Sequence, residues 1–353
     1  MHWIKPIYSK KVVRKAGKAV ASGDFSEISE DEALKIINNW RASHEYLMEM
    51  LYIKGRLYGI NRIIKVFRRL KRLESIVGKL SRFPNMMLDR MQDLGGCRVI
   101  VNKIDDINEA TNVFKNFKTA DYTLIKENNY IAEPKPDGYR SVHLIFEVTE
   151  ADPVFQGLKV EVQIRTQLQH AWATAVEILS LRQHVNIKAG EGDAKTRRYM
   201  ALISALFALE EGAPTGEHIS EPAQKIFEEA MQLDKDIHIL DTIRAIQMTP
   251  IFSGERQEKS AYYVIKVDAH ASTSKIYSFN DNQLETAVDF CAEVEKSNQG
   301  SFAVLISAID VNSLFEGYPN YLSNANKFVA KVDALIEKYA PLFQARNIPF
   351  INQ

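Results

Sequence analysis

"LKVEVQIRT", residues 158–166, decides the architecture. Val160, Val162 and Ile164 alternate with Glu161, Gln163 and Arg165, so the stretch reads as a strand with one apolar and one polar face. A carboxylate, an amide and a guanidinium in a row are costly to bury without partners. Such a face is either plainly solvated or turned towards a polar ligand. Upstream lies "EPKPDGYRSVHLIFEV", residues 133–148. Its prolines and Asp137-Gly138 mark a turn, and the alternation that follows predicts a strand over 141–149. The turn sets Lys135, Tyr139, Arg140 and His143 at the mouth of that strand, more polar handles than a fold alone requires.

Working outward, strands are expected at 97–101 ("CRVIV", after Gly95-Gly96) and 122–130, and helices at 105–117, 167–182 and 196–211. Towards the N-terminus, 9–22 reads as a basic helix. Ser29 followed by three acids opens a long helix over 30–54. A second helical stretch is expected over 57–82, and a short one over 86–93. This is an α+β pattern, a mixed sheet flanked by helices. "EGAPTGEHISEP" (211–222) marks the best boundary, dividing a domain 1–212 from a region 213–353. The latter reads as an acidic helix (221–246), a strand pair in "AYYVIKVDAH" and "SKIYSF", a helix (281–297), a strand (302–308) and a last helix (324–339).

The chain has 353 residues, 46% hydrophobic, and a formal net charge of zero. That balance argues against non-specific coating of nucleic acid. No 18-residue apolar run and no leader pattern are seen, so a cytoplasmic protein without a membrane span is expected. Cys97 and Cys291 have no companions at metal-ligand spacing, which excludes a cysteine-rich zinc site. The zero conceals an asymmetry: residues 54–82 hold ten Lys or Arg and one acid, whereas 204–260 hold eleven acids and five Lys or Arg. A polyanionic ligand at the first stretch and docking of the second near it would reconcile them.

Two carboxylates, Asp93 and Glu161, fall at ends of predicted strands. Mg²⁺ is commonly held by few protein carboxylates, with water and phosphate oxygens completing its shell. On a helix over 57–82, Arg69, Arg72, Ser75 and Lys79 would share one face with Lys71 beside it. Such a face suits phosphate.

"RLKRLESIVGKL", "DLGGCRVIV", "KPDGYRSVHL" and "VEVQIRT…QH" occur in that order, and together they resemble the synthetase domain of the RelA/SpoT family over about residues 45–210. The resemblance implies a nucleotidyltransferase-like fold and transfer of the β,γ-pyrophosphate of ATP to a ribose 3′-hydroxyl. It implies that Arg69 and Arg98 hold adenine between their planes, and that Lys71, Ser75 and Lys79 hold ATP phosphates. Asp93 and Glu161 would handle Mg²⁺ and the attacking hydroxyl. Tyr139 would stack on the acceptor base, with Lys135, Arg140, His143, Gln163 and Arg165 near it. No His-Asp dipeptide is present, so the family's hydrolase activity is not expected.

The opening "MHWIKPIYSKKVVRKAGKAV" and "SRFPNMMLDRMQDLGGCRVIV" look like the toxic subgroup, which implies tRNA as acceptor. The alternative is an alarmone synthetase acting on GDP, GTP or adenosine nucleotides. The region after 213 resembles the C-terminal part of fused toxin–antitoxin members of the CapRel type, a pseudo-zinc-finger domain that restrains the enzyme. Tyr318 and Tyr321 match that subgroup's Tyr-x-x-Tyr motif and would cover the adenine site. A phage structural protein, typically capsid, would relieve the restraint, and a monomer is expected.

Overall fold

The computed structural model describes residues 3–58, 63–116, 119–150, 152–183, 192–245, 249–252, 261–268, 273–297, 301–308, 314, 317–318 and 325–346. They form two compact units that interleave along the chain: residues 1–128, 142–164 and 249–317, and residues 129–141, 165–248 and 318–353. The expected break at 212/213 thus falls inside the second unit.

The first unit is a nine-stranded sheet with helices. Its strands are β1 (Ile63–Leu70), β2 (Gly95–Val101), β3 (Tyr122–Asn129), β4 (Val142–Val148), β5 (Lys159–Thr166), β6 (Thr249–Phe252), β7 (Tyr262–Asp268), β8 (Thr273–Phe279) and β9 (Ser301–Ser307), in the order β3-β4-β5-β2-β1-β9-β7-β8-β6. β4 and β5 are antiparallel, as are β1 and β2, while β6 runs parallel to β8. Val160, Val162 and Ile164 are fully buried, as the alternation of β5 predicts.

The strands after residue 249 were expected in a separate small domain. Instead β9 pairs antiparallel with β1, Arg68 opposite Ser307, so they extend the same sheet. An edge strand leaves a row of backbone donors and acceptors open, and β9 satisfies those of β1.

Several helices differ from expectation. The 30–54 helix is two, α2 (Glu30–Ser43) and α3 (Glu45–Tyr58), after α1 (Lys10–Ser22). At the junction the Ser43 hydroxyl and His44 Nδ1 both turn back to the Trp40 carbonyl, at 2.8 and 2.7 Å, and so compete with the helical ladder. The 57–82 helix is in fact β1 followed by α4 (Leu73–Arg82). The β-branched and aromatic run "IIKVF" favours a strand over a helix. Residues 86–93 shrink to one 3₁₀ turn, Leu88–Arg90, whose Asp89 takes a bidentate pair from Arg14 at 2.8 Å. α5 (Ile104–Lys115) lies close to expectation, as does α10 (Leu284–Ser297).

The second unit is helical: α6 (Gln167–Gln183), α7 (Ala194–Glu211), α8 (Ala223–Ile237), α9 (Ile239–Ala245) and α11 (Asn326–Arg346). His238, in the left-handed region at φ 51°, divides the expected 221–246 helix into α8 and α9. Trp172, Tyr199, Phe207, Phe227 and Phe328 share one core, with the Phe207 and Phe328 rings 5.8 Å apart. Three of the acids of the 204–260 stretch pair with lysines or arginines inside this unit. Glu210 meets Lys331 and Lys338, Glu229 meets Arg198, and Asp236 meets Lys195. Among the described residues no helix is long and apolar enough to cross a membrane.

Candidate active site

In the first unit β1 carries Arg69 and, just beyond its end, Lys71. One turn of α4 separates Ser75 from Lys79, which places both on one helix face. The loop before β2 brings Asp93 to them. Lys71 Nζ and Lys79 Nζ both donate to Asp93 Oδ2, at 3.0 and 2.9 Å. Burial alone would raise the Asp93 carboxyl, but the two ammonium groups outweigh it and hold it well below the usual carboxylate range. Its other oxygen, Oδ1, is buried with no hydrogen-bond partner.

Glu161 projects from β5. His143, opposite Gln163 on β4, sets Nδ1 2.8 Å from Glu161 Oε1, and Gln163 Nε2 donates to Oε2 at 2.5 Å. Burial pushes Glu161 up; the neighbouring His143 pulls harder, and the net shift is downward even though the charge of Asp93 opposes it. Asp93 and Glu161 therefore lie within electrostatic reach of each other. Hard oxygen donors of this kind fit Mg²⁺, and the unpartnered Asp93 Oδ1 is an acceptor ready for it. Among the described residues no three His, Cys, Asp or Glu side chains cluster at metal-binding distance. Mg²⁺ here would take its remaining ligands from water and phosphate.

Arg98 sits on β2 directly opposite Phe67 of β1, and Arg69 sits opposite Gly96, so Phe67, Arg69 and Arg98 share one sheet face. Arg98 is buried, and its Nη1 donates to the Gly317 carbonyl at 2.7 Å. Gly317 lies so close to Phe67 that a Cβ at 317 would overlap the ring. Arg68 points to the opposite face. There Glu45, at 3.1 Å, and Glu49 pair with it, and it donates to Ser307 Oγ at 2.6 Å. The basic stretch is thus divided between a strand with two faces and a helix, not displayed on one helix face.

The second unit holds the remaining motif residues. Gly138 has φ 89°, and a Cβ there would come within 2.9 Å of Ala201 Cα and Ser204 Cβ, so only glycine fits. Asp137 Oδ1 accepts from the Tyr139 backbone N–H at 2.9 Å, closing the turn. Tyr139 is buried in the helical core. Its ring meets that of Tyr130 edge-on, and Lys135 Nζ lies 5.2 Å from its centroid. Arg140 donates from Nε to Ser204 Oγ (3.1 Å), from Nη1 to the Pro214 carbonyl (2.6 Å) and from Nη2 to the Thr215 carbonyl (2.8 Å). Burial brings the Arg140 guanidinium down to about 10, with Glu211 opposing the shift. Arg165 is 1% exposed. Tyr318 is also fully buried, and Tyr321 lies outside the described residues.

Two residues with no motif signal also reach the main chain of the bend at Lys71. Arg41 of α2 and Glu295 of α10 form a buried bidentate pair at 3.2 and 3.0 Å. They stand 254 positions apart, too far for any local pattern to join them.

Paired carboxylates, two lysines and two arginines on the sheet and helix of one unit define a phosphoryl-transfer class of enzyme, in which catalysis is mostly positioning and charge neutralisation. Residues 68–183 match the family described as "Region found in RelA / SpoT proteins", a span that contains every motif residue from Arg69 to Arg165. The chain is 31% identical over 168 residues to GTP pyrophosphokinase YwaC of Bacillus subtilis, covering 43% of this chain and 79% of that protein. It is 36% identical over 124 residues to GTP pyrophosphokinase YjbM of the same organism, covering 34% of this chain and 57% of the relative. The solved structure of small alarmone synthetase 1 from Bacillus subtilis bound to its product pppGpp overlaps 49% of this chain and 89% of its own, at 27% identity and TM-score 0.42. The chain belongs to the RelA/SpoT family, and it is a pyrophosphokinase.

Proposed function

We propose that the protein transfers the β,γ-pyrophosphate of ATP to the ribose 3′-hydroxyl of a guanosine nucleotide. The observation that carries this reading is the Lys71–Asp93–Lys79 cluster, electrostatically joined to Glu161. Lys71, Ser75 and Lys79 would neutralise the ATP phosphates. Asp93 and Glu161 would hold Mg²⁺, which supplies charge neutralisation at the transferring phosphoryl group. Glu161, hydrogen-bonded to His143, is the acceptor-side base in this reading. The names of the two Bacillus relatives support GDP or GTP as acceptor. A tRNA acceptor was expected from resemblance to the toxic subgroup, with the basic stretch compatible with it; Arg68 of that stretch is buried in an ion pair with Glu45 and Glu49 and is not free to meet tRNA phosphates.

Restraint by the C-terminal segment is part of the proposal. Its support is the hydrogen bond from Arg98, an expected adenine-holding arginine, to the Gly317 carbonyl, one residue before Tyr318. Release by a partner protein, a phage structural protein in the reading made from sequence resemblance, would uncover that face.

The deciding experiment incubates the protein with γ-labelled ATP and Mg²⁺, with GDP, GTP or tRNA as acceptor, with and without co-expressed capsid protein. Label on the guanosine nucleotide is expected. Label on tRNA alone would move the acceptor assignment to tRNA, and capsid-independent rates would remove the trigger.

A further inference from the structure

The bend between β1 and α4 carries Lys71 into the donor cluster, and its main chain is gripped on both sides of Arg72. On the near side the Lys71 N–H donates to the Leu94 carbonyl at 2.8 Å, which ties it to the Asp93 loop. The Lys71 carbonyl accepts from Arg41 Nη1 at 3.3 Å. On the far side the Leu73 N–H, first in α4, donates to Glu295 Oε1 at 3.1 Å. Arg41 and Glu295 are joined to each other, with side chains 4% and 6% exposed. Arg72, the residue before α4, makes no side-chain cap for the helix. Glu295 supplies what a cap residue would, an anionic acceptor at the helix N-terminus.

We propose that Glu295 is a positioning residue for the donor site. It and Arg41 form a brace that fixes where Lys71 ends and where α4, with Ser75 and Lys79, begins. The C-terminal segment then has a second role besides covering the site: its helix α10 completes the site it covers. A carboxylate so close to a phosphate-binding helix could instead block phosphate. Its charge, however, is already neutralised by a bidentate guanidinium, and that guanidinium also donates to the main chain of the same bend. Both partners act on backbone, which is what positioning requires. The inference rests on the donor-site reading above.

The test uses the full chain. Glu295→Gln keeps an acceptor for Leu73 but loses the ion pair. Arg41→Met with Glu295→Met removes the brace while leaving no buried charge, and so guards against misfolding of the single variant. Backbone hydrogen exchange of the peptide over 71–76 should speed up about tenfold in both variants relative to the rest of β1. KM for ATP should rise about tenfold or more, with kcat changed far less. A role in stability alone would lower Tm and leave KM where it was. Unchanged exchange at 71–76 together with an unchanged KM would overturn the brace. Tighter ATP in Glu295→Gln would overturn it too, by making the carboxylate a competitor for phosphate. Lys79→Met separates the two readings. It should abolish binding of a non-hydrolysable ATP analogue without altering exchange at 71–76. If it binds like the parent, the donor reading fails, and the exchange measurement still decides the brace.

Discussion

The Lys71–Asp93–Lys79 cluster, proposed as the donor site, and the turn 135–140, expected from the family resemblance to meet the acceptor and called here the acceptor turn, draw on the same residue types but use them oppositely. Around Asp93 the charged groups sit on side chains about a fifth to a quarter exposed, and one buried oxygen, Asp93 Oδ1, lacks a partner. In the turn 135–140 the most conspicuous cation, Arg140, engages Nε, Nη1 and Nη2 with protein oxygens, and Tyr139 is buried in a helical core. The first region is organised to receive charge. The second is organised to hold its own shape, and several of its motif residues are there to build the turn. A motif residue's chemistry is therefore read from what its polar atoms already touch.

The sharpest way to break this contrast is to neutralise one of the two carboxylates proposed to hold Mg²⁺. Glu161→Gln should leave the melting temperature within a few degrees and reduce transfer by about 10²–10⁴-fold, the range for loss of a positioned acid or base. Asp93→Asn should be as severe, because it removes the other carboxylate proposed to hold Mg²⁺. Steady-state transfer of labelled pyrophosphate measures both. A folded Glu161→Gln protein with parental activity would place the chemistry elsewhere.

The acceptor turn should respond in stability first. Arg140→Met leaves the Pro214 and Thr215 carbonyls and Ser204 without their donor, and buried groups left unpaired cost about 1–3 kcal/mol each when water cannot replace the partner. A loss on the order of 3 kcal/mol in urea unfolding is expected, with activity falling in step with the folded fraction. If Arg140→Met is fully stable but has lost acceptor affinity, Arg140 is a substrate ligand and the contrast fails.

His44 offers a pH handle on the scaffold beneath the donor side. Burial holds its imidazole down to about 4, with hydrogen bonds to the Trp40 and Arg41 backbone opposing the shift. The folded value lies below the unfolded one, so the folded state disfavours the proton. Stability is then full above the unfolded value, near 6.5, and is lost as pH falls towards 4. Between pH 7 and pH 5 the loss attributable to His44 is roughly 2 kcal/mol. Comparing unfolding of the parent and His44→Gln at the two pH values checks it; equal pH dependence in both would remove His44 as the cause.

Much of the first unit was legible in the sequence because its signals are local. The period-two alternation of 158–166 and the Asp-Gly turn at 137–138 each specify an element within a few residues, and each appears as expected. The basic stretch misled because Arg69, Arg72, Ser75 and Lys79 have helical spacing by number, while "IIKVF" puts the first of them on a strand. The brace of Arg41 and Glu295 and the pairing of β9 with β1 were illegible for a different reason. Both join positions more than 200 residues apart, and neither leaves a periodic trace. The chain after residue 249 looked like a separate domain because its strands are complete in themselves. Only the unsatisfied edge of β1 explains why they join the sheet.

The smallest expected effect tests whether any part of the acceptor turn remains available to a ligand. Lys135 is exposed, and its ammonium lies over two rings, 4.5 Å from the centroid of Tyr130 and 5.2 Å from that of Tyr139. An exposed cation–π contact contributes about 0.5–1 kcal/mol, so Lys135→Met should barely move the unfolding midpoint. An ammonium tethered by such weak contacts can turn to a phosphate at small cost, unlike the guanidinium of Arg140. In a protein that uses GDP or GTP, Lys135→Met should therefore raise KM for the nucleotide about tenfold, equivalent to about 1.4 kcal/mol, and leave KM for ATP unchanged. The two KM values, measured on one preparation, separate the acceptor turn from the donor cluster. A change in KM for ATP alone would place Lys135 on the donor side. No change in either would leave Lys135 as part of the turn's packing and make the acceptor turn structural throughout.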